Sequence, residues 1–156
     1  MFDSYFVRKD SLRNFTENGR VAGFQLQVRI TNYRGVFLSL HNGYFLEVDG
    51  TVYPRSAQRF AVNGKPPRSF DELKENAVLE HWDIDKEAVL RVYCDGGLSE
   101  GVHHIGILES ILSSYGYGRN DQEMVDNPPE PAEQVKFRSE DICCFDLELQ
   151  KTEEVF

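Results

Sequence analysis

The sequence is short of long apolar runs, and none of its apolar stretches approaches the roughly 18 residues that a membrane-spanning helix needs. Its first residues, "MFDSYFVRKDSLRNF", lack the basic segment and apolar core that mark a secretory leader. Cysteine is scarce too, with only Cys94, Cys143 and Cys144, and an odd count argues against a disulfide framework. We therefore expect buried, reduced thiols, no membrane partner and a cytoplasmic location.

Positive charge is also scarce, because 26 acidic residues outweigh 17 basic ones and give a formal net charge of -9. Such a balance repels nucleic-acid phosphates and anionic lipid headgroups, and no cluster of Lys or Arg offsets it. We expect no nucleic-acid partner. The length of 156 residues predicts a single domain spanning 1–156.

The motifs of several enzyme classes are missing. No Gly-x-Ser-x-Gly elbow, phosphate-binding loop or dinucleotide-binding glycine pattern occurs. His103 and His104 are adjacent, and neighbouring residues on a strand face opposite sides, so one metal ion could not easily bind both. The sequence therefore predicts no metal on this chain, with one of the two histidines packed and the other facing a partner or solvent.

Period-two alternation is the main positive signal. In "GFQLQVRI", residues 23–30, apolar side chains occupy every second position and predict a strand with one buried face. Asp49-Gly50 predicts a two-residue hairpin turn, with Leu46 and Val48 on one face of the strand before it. Further strands are predicted at 87–94, 103–112 and 143–149. A series of strands without helices between them favours an all-β, antiparallel sandwich or barrel.

One short helix is predicted near 69–76. Ser69 and Glu72 have the spacing of a capping box, in which each side chain binds a backbone N–H at the start of the helix. Leu73 would anchor the helix to the core.

Two segments are open to more than one interpretation. The Pro-, Gly- and acid-rich stretch at about 115–141 is either a solvated loop or a docking arm that carries Tyr115, Tyr117 and Arg119. The stretch "NYRG" is either a turn between strands or a partner contact, because Tyr33 and Arg34 are residue types common at interfaces and Gly35 can adopt positive φ.

The segments "MFDSYFVRKDSLRNFTENGRVAGFQLQVRITNYRGVFLSL", "EVDGTVYPRSAQRFAVNG" and "GGLSEGVHHIGI", in this order, resemble the small (beta) subunit of bacterial C-glycoside deglycosidases. The resemblance covers about residues 1–112 and the last strand. It implies a jelly-roll-like β-sandwich that pairs with a larger alpha subunit, a TIM barrel similar to sugar-phosphate isomerases. That barrel would carry a divalent metal, usually Mn²⁺, and the catalytic histidine.

The reaction implied by the resemblance is elimination across the carbon–carbon bond between a 3-oxo sugar and a flavonoid-type aglycone. We expect no cofactor and no catalytic residue on this chain. Eight residues are our candidates for the partner interface or the mouth of the substrate site: Tyr33, Arg34, Gly35, His103, His104, Tyr115, Tyr117 and Arg119.

Two other functions compete with this hypothesis. A free-standing carbohydrate-binding sandwich would display aromatic side chains on one face, with Trp82, Tyr44 and Tyr53 as candidates. A cupin-like metal enzyme would bind its metal without a second chain.

Overall fold

The computed structural model describes residues 6–29, 36–77, 79–83, 86–111, 130–131 and 142–151. The elements in chain order are β1 (Arg13–Glu17), β2 (Arg20–Val28), β3 (Val36–Phe37), β4 (His41–Val48), β5 (Thr51–Tyr53), β6 (Gln58–Ala61), α1 (Phe70–Asn76), β7 (His81–Trp82), β8 (Ala88–Tyr93), β9 (Val102–Ile111) and β10 (Cys143–Glu148).

Within the described residues, two four-stranded sheets form the body of the fold. The first sheet has the order β1-β2-β8-β6 and the second has the order β10-β9-β4-β5, while β3 and β7 form a separate two-stranded pair. Neighbouring strands in these sheets all run antiparallel. The chain crosses between the two main sheets after β2, after β5 and after β8. The predicted all-β, antiparallel sandwich is confirmed.

The core lies between the two sheets and is built from alternate residues of their strands. On β2, Phe24, Leu26 and Val28 are completely buried, as the period-two pattern predicts. Equivalent positions of the other strands complete the same cluster: Leu46 and Val48, Phe60, Leu90 and Val92, Ile105 and Ile107, and Leu147. A single apolar cluster of this kind holds both sheets together.

The local predictions for the hairpin and the helix are confirmed. Asp49 and Gly50 have φ angles of 51° and 89°, the two positive values that a type I′ turn requires. At α1 the Ser69 hydroxyl accepts from the Glu72 N–H at 3.2 Å, and the Glu72 carboxylate accepts from the Ser69 N–H at 3.3 Å. Leu73 is buried and fastens the helix to the core.

Two sequence expectations are wrong in part. Cys144 is exposed, and Cys94 and Cys143 are half-buried, so these thiols are not all core residues. The alternation expected for β9 also fails, because residues 105–110 are buried on both faces of the strand. Ile30 and the loop predicted at 115–141, apart from Glu130 and Pro131, lie outside the described residues. Among the described residues, no helix is long and apolar enough to cross a membrane.

Candidate functional site

A group of polar side chains lies inside the sandwich at the end of the β4–β9 ladder. This buried polar cluster consists of His41, Asn42, Tyr44, Glu109 and Ser110, and none of the five is more than 5% exposed. Polar groups in such a position cost free energy unless they are paired, so the way they are held decides what they can do.

The strand pattern places two members of the cluster on the core face. Ile105, Ile107 and Glu109 share one face of β9, and Glu109 pairs directly with Tyr44 of β4. An irregularity in the ladder between His41 and Gly43 then changes the register of β4. Gly43 has a φ of 103°, a conformation that a residue with a Cβ rarely adopts.

Aromatic rings enclose the imidazole of His41. The ring stacks on Phe60 at 5.0 Å and on Phe70 at 5.3 Å between centroids, each at 21°. Trp82 approaches it edge-on at 5.6 Å. The imidazole Nε2 lies 3.7 Å from a carboxylate oxygen of Glu109. The enclosing rings shield this His–Glu pair from solvent.

Hydrogen bonds fasten the surrounding backbone. The amide of Gln58 bridges the Tyr44 backbone, accepting from its N–H at 3.0 Å and donating to its C=O at 2.7 Å. The side-chain amide of Asn42 donates to the Ser110 hydroxyl at 3.1 Å, and the backbone carbonyl of Asn42 accepts from Arg55 Nε at 2.9 Å. These contacts tie β4 to β6 and β9.

The Tyr44 phenol stays protonated in this environment. Burial, followed by the nearby charge of Glu109, raises the pKa of the Tyr44 hydroxyl well above its ordinary value of 10.0. The cluster is enclosed in this chain, with none of its side chains more than 5% exposed.

A second polar group joins the β4–β5 turn to β9. The Asp49 carboxylate binds His103 Nδ1 at 2.5 Å and accepts from the His104 backbone N–H at 2.9 Å. The Asp49 N–H donates to the His104 carbonyl at 2.9 Å, while His103 Nε2 lies 2.6 Å from the Ser99 carbonyl. One aspartate thus anchors the hairpin turn on the neighbouring strand.

These contacts favour a charged His103. A carbonyl and a carboxylate oxygen can only accept hydrogen bonds, so both ring nitrogens must donate and the ring is an imidazolium. Burial lowers the pKa of His103, but the bonds to Asp49 and Ser99 outweigh it and leave that pKa above 6.5. The His103 bond, with that of His104, lowers the pKa of Asp49 below 3.8.

The pair should give stability a defined pH dependence. The raised pKa of His103 adds to the stability of the fold, and this added stability is fully present below pH 6.5 and is lost as pH rises through the folded pKa. The lowered pKa of Asp49 also adds stability, which is fully present above pH 3.8 and is lost as pH falls through the folded pKa. Both contributions are therefore complete only between pH 3.8 and pH 6.5.

We expect Asp49→Asn to lower stability at pH 5–6 by about 1 kcal/mol, a small value because the carboxylate is half exposed. Asparagine tolerates the turn conformation, so the change removes charge without disturbing the backbone. Urea denaturation at pH 5.5 and pH 9 measures the effect, and the difference between variant and wild type should shrink at pH 9. An equal loss at both pH values would contradict the ion-pair interpretation.

The neighbouring His104 points the other way. Its side chain is 63% exposed and binds the carboxylate of Asp146, the residue directly opposite on β10, at 2.8 Å. The prediction that one histidine is packed and the other faces outward is confirmed. Whether either residue contacts a partner stays a prediction.

The structure locates only part of the predicted interface. His103 and His104 lie at the end of β9 near the β4–β5 turn. The other candidates, Tyr33, Arg34, Gly35, Tyr115, Tyr117 and Arg119, lie outside the described residues. Sequence reasoning missed Asp49, His41 and Glu109. A signal for Glu109 was present, since Ile105, Ile107 and Glu109 occupy every second position and so share one face of the strand.

The structure also bears on the two competing functions, a carbohydrate-binding sandwich and a cupin-like metal enzyme. Of the three candidate aromatic residues, Trp82 and Tyr44 are at most 1% exposed and cannot contribute to an open sugar-binding face, while Tyr53 is partly buried against the core. Within the ranges described above, no group of three or more His, Cys, Asp or Glu side chains is placed to hold a metal ion. Metal-free behaviour of the whole chain stays a prediction.

Comparison with known proteins connects this sandwich to one family. The family model described as C-glycoside deglycosidase beta subunit matches residues 2–115. A protein of Eubacterium cellulosolvens (strain ATCC 43171 / JCM 9499 / 6) named "C-glycoside deglycosidase beta subunit" is 36% identical over 98 residues. That alignment covers 63% of this chain and 65% of the relative, so the chain spans about two thirds of that protein's length.

Proposed function

Because the chain belongs to the C-glycoside deglycosidase beta subunit family, we propose that it is one subunit of a heteromeric enzyme whose catalytic centre lies on a partner. The family match over residues 2–115 is the observation that carries this proposal. The His41–Glu109 pair is consistent with it, because both side chains are at most 5% exposed in this chain.

The proposed partner is an alpha subunit with a TIM-barrel fold similar to that of sugar-phosphate isomerases. Its divalent metal, Mn²⁺ in this proposal, would supply Lewis-acid stabilisation of negative charge on the substrate. The substrate class is 3-oxo-C-glycosides with flavonoid-type aglycones, and the complex would act in the cytoplasm.

The proposed reaction is a carbon–carbon lyase elimination. The 3-oxo group acidifies the neighbouring C–H bond, whose proton passes to a general base of the partner. The electron pair left behind forms a C=C bond as the bond from sugar to aglycone breaks. The aglycone carbon takes the electrons of the broken bond and is protonated, so the products are an unsaturated 3-oxo sugar and the free aglycone.

The role we assign to this chain is to close the active face of the barrel. That face is open at its C-terminal loops, and stabilisation of developing negative charge is stronger where water is excluded. A rigid sandwich with a packed core is suited to form such a wall. The candidates to face the mouth are those of the sequence analysis: Tyr33, Arg34, Gly35, His103, His104, Tyr115, Tyr117 and Arg119.

The test is to assay cleavage of a 3-oxo-C-glycoside by this chain alone, by the proposed alpha subunit alone, and by the two together. We expect turnover only from the mixture, together with co-purification of the two chains. The signal for the chain alone should not exceed the background without protein.

Turnover by this chain alone would contradict the division of work. Full turnover by the alpha subunit alone would reduce this chain to an accessory. Glycan binding by this chain, without any complex with the alpha subunit, would favour the carbohydrate-binding alternative instead.

A further inference from the structure

The outer face of the first sheet carries an unusual pairing of like charges. Arg59 of β6 lies directly opposite Arg91 of β8 in the ladder, so both guanidinium groups leave the sheet on the same side. Two like charges in this relation destabilise a sheet, and here they occur in a protein with a net charge of -9. We call Arg59, Arg91, Phe15 and Tyr93 the arginine face.

The rings of this face hold the two arginines in place. The Arg59 guanidinium carbon lies 5.1 Å from the centre of the Tyr93 ring, and that of Arg91 lies 4.8 Å from the centre of the Phe15 ring. The two rings meet edge to face at 5.6 Å and 73°. Tyr93 is 39% exposed, so the array is open to a partner.

The hydrogen bonds of both arginines go to neutral acceptors. Arg59 donates to the carbonyls of Ser56 and Gln58, each at 2.8 Å, and Arg91 donates to the Gln25 side chain at 3.0 Å. Neither arginine forms an ion pair with any residue that the structure describes. Among the described residues, the carboxylate of Glu17 is bonded to the array, where it accepts from the Tyr93 hydroxyl at 2.8 Å.

Other arginines of the chain behave differently. Arg29 pairs with Glu87 at 2.7 Å, Arg55 with Asp71 at 2.6 Å and Arg68 with Glu80 at 2.9 Å. Acidic side chains of the described residues thus supply counter-ions at several surface positions, but none of them pairs with Arg59 or Arg91.

We propose that the arginine face docks on an acidic surface of the alpha subunit, with a partner carboxylate between Arg59 and Arg91. This inference rests on the proposed function, which supplies the partner. The fork of a guanidinium matches a carboxylate, and stacking on a ring pre-orders the side chain, which reduces the entropy lost on binding. A flat sheet surface cannot enclose a small free anion, so a protein surface is the occupant that fits it.

The test compares two double variants of equal charge change in co-purification and binding assays with the alpha subunit. Arg59→Gln with Arg91→Gln should weaken the complex by about tenfold or more, as expected for arginines at the centre of an interface. Lys74→Gln with Lys86→Gln is the matched control and should bind as wild type does. Added salt should weaken the wild-type complex more than that of the arginine variant.

The outcomes separate the two proposals. No complex between the wild-type chains would refute the proposed function, and this inference with it. A normal wild-type complex that the arginine double variant also forms with unchanged affinity would overturn this inference alone. A change confined to self-association of the free chain would also overturn it.

If the double variant melts below wild type, the single variant Arg59→Gln is measured instead, because Arg91 then stays stacked on Phe15. We expect this single variant to bind the alpha subunit about threefold more weakly than wild type does.

Discussion

Replacing Gly23 with alanine is expected to destabilise the sandwich by about 4 kcal/mol or more, a loss at the upper end for single substitutions. A Cβ at this position would lie 1.9 Å from the Val92 carbonyl oxygen and 2.9 Å from the Phe15 ring. The carbonyl belongs to the neighbouring strand β8, so a rotamer change cannot relieve the overlap. The two central strands of the first sheet would have to separate.

Urea denaturation followed by the fluorescence of the buried Trp82 measures this loss. The matched control is Gly106→Ala in β9, where a Cβ would meet the Ile142 side chain at an ordinary 3.4 Å. That substitution should change the free energy of unfolding by less than about 1 kcal/mol. Alanine also makes the unfolded chain less flexible than glycine does, which contributes stability to the folded state. Equal urea midpoints for the two variants would contradict the prediction, because they would show that the sheet accommodates a Cβ at Gly23 without separating β2 from β8.

His41→Ala should cost about 3–5 kcal/mol, the range for removing a large buried ring. The imidazole contacts Phe60, Phe70 and Trp82, and its loss leaves a cavity between them. It also leaves the buried carboxylate of Glu109 without its neighbouring imidazole, which adds a desolvation cost. Thermal melting measured by circular dichroism should show a drop on the order of 10 °C for a chain of this length.

His81→Ala provides the comparison at a surface position. His81 is partly exposed, touches Phe37 edge-on at 5.0 Å and binds the exposed carboxylate of Asp83 at 2.6 Å. Because an ion pair at the surface contributes little, we expect a loss below about 1 kcal/mol. Similar losses at both histidines would mean that the ring stack around His41 is not a main source of stability.

Local sequence was sufficient wherever the structure depends on neighbours along the chain. The alternation of Phe24, Leu26 and Val28 predicts the buried face of β2, because successive side chains on a strand point to opposite sides. Asp49-Gly50 predicts its turn because both positions need positive φ. The three-residue spacing between Ser69 and Glu72 predicts the start of α1.

The candidate site was less predictable because its members come from distant parts of the chain. Glu109 is 68 residues from His41, and Asp49 is 54 residues from His103. No local pattern reports that two such side chains meet. The candidate interface residues at 33–35 and those at 115, 117 and 119 lie outside the described residues, so their proposed roles depend on the binding and activity tests.

The sequence alone determined the all-β class, the strand alternation, the hairpin turn, the capped helix and, through its ordered motifs, the family. These features arise from short-range sterics, hydrogen bonding and the period of apolar side chains. Only the tertiary structure decided that Tyr44 faces Glu109, that rings enclose His41 and that Arg59 lies opposite Arg91. These contacts depend on strand order and register, which arise from packing two whole sheets against one core, and a shift of one residue would turn each side chain to the other face.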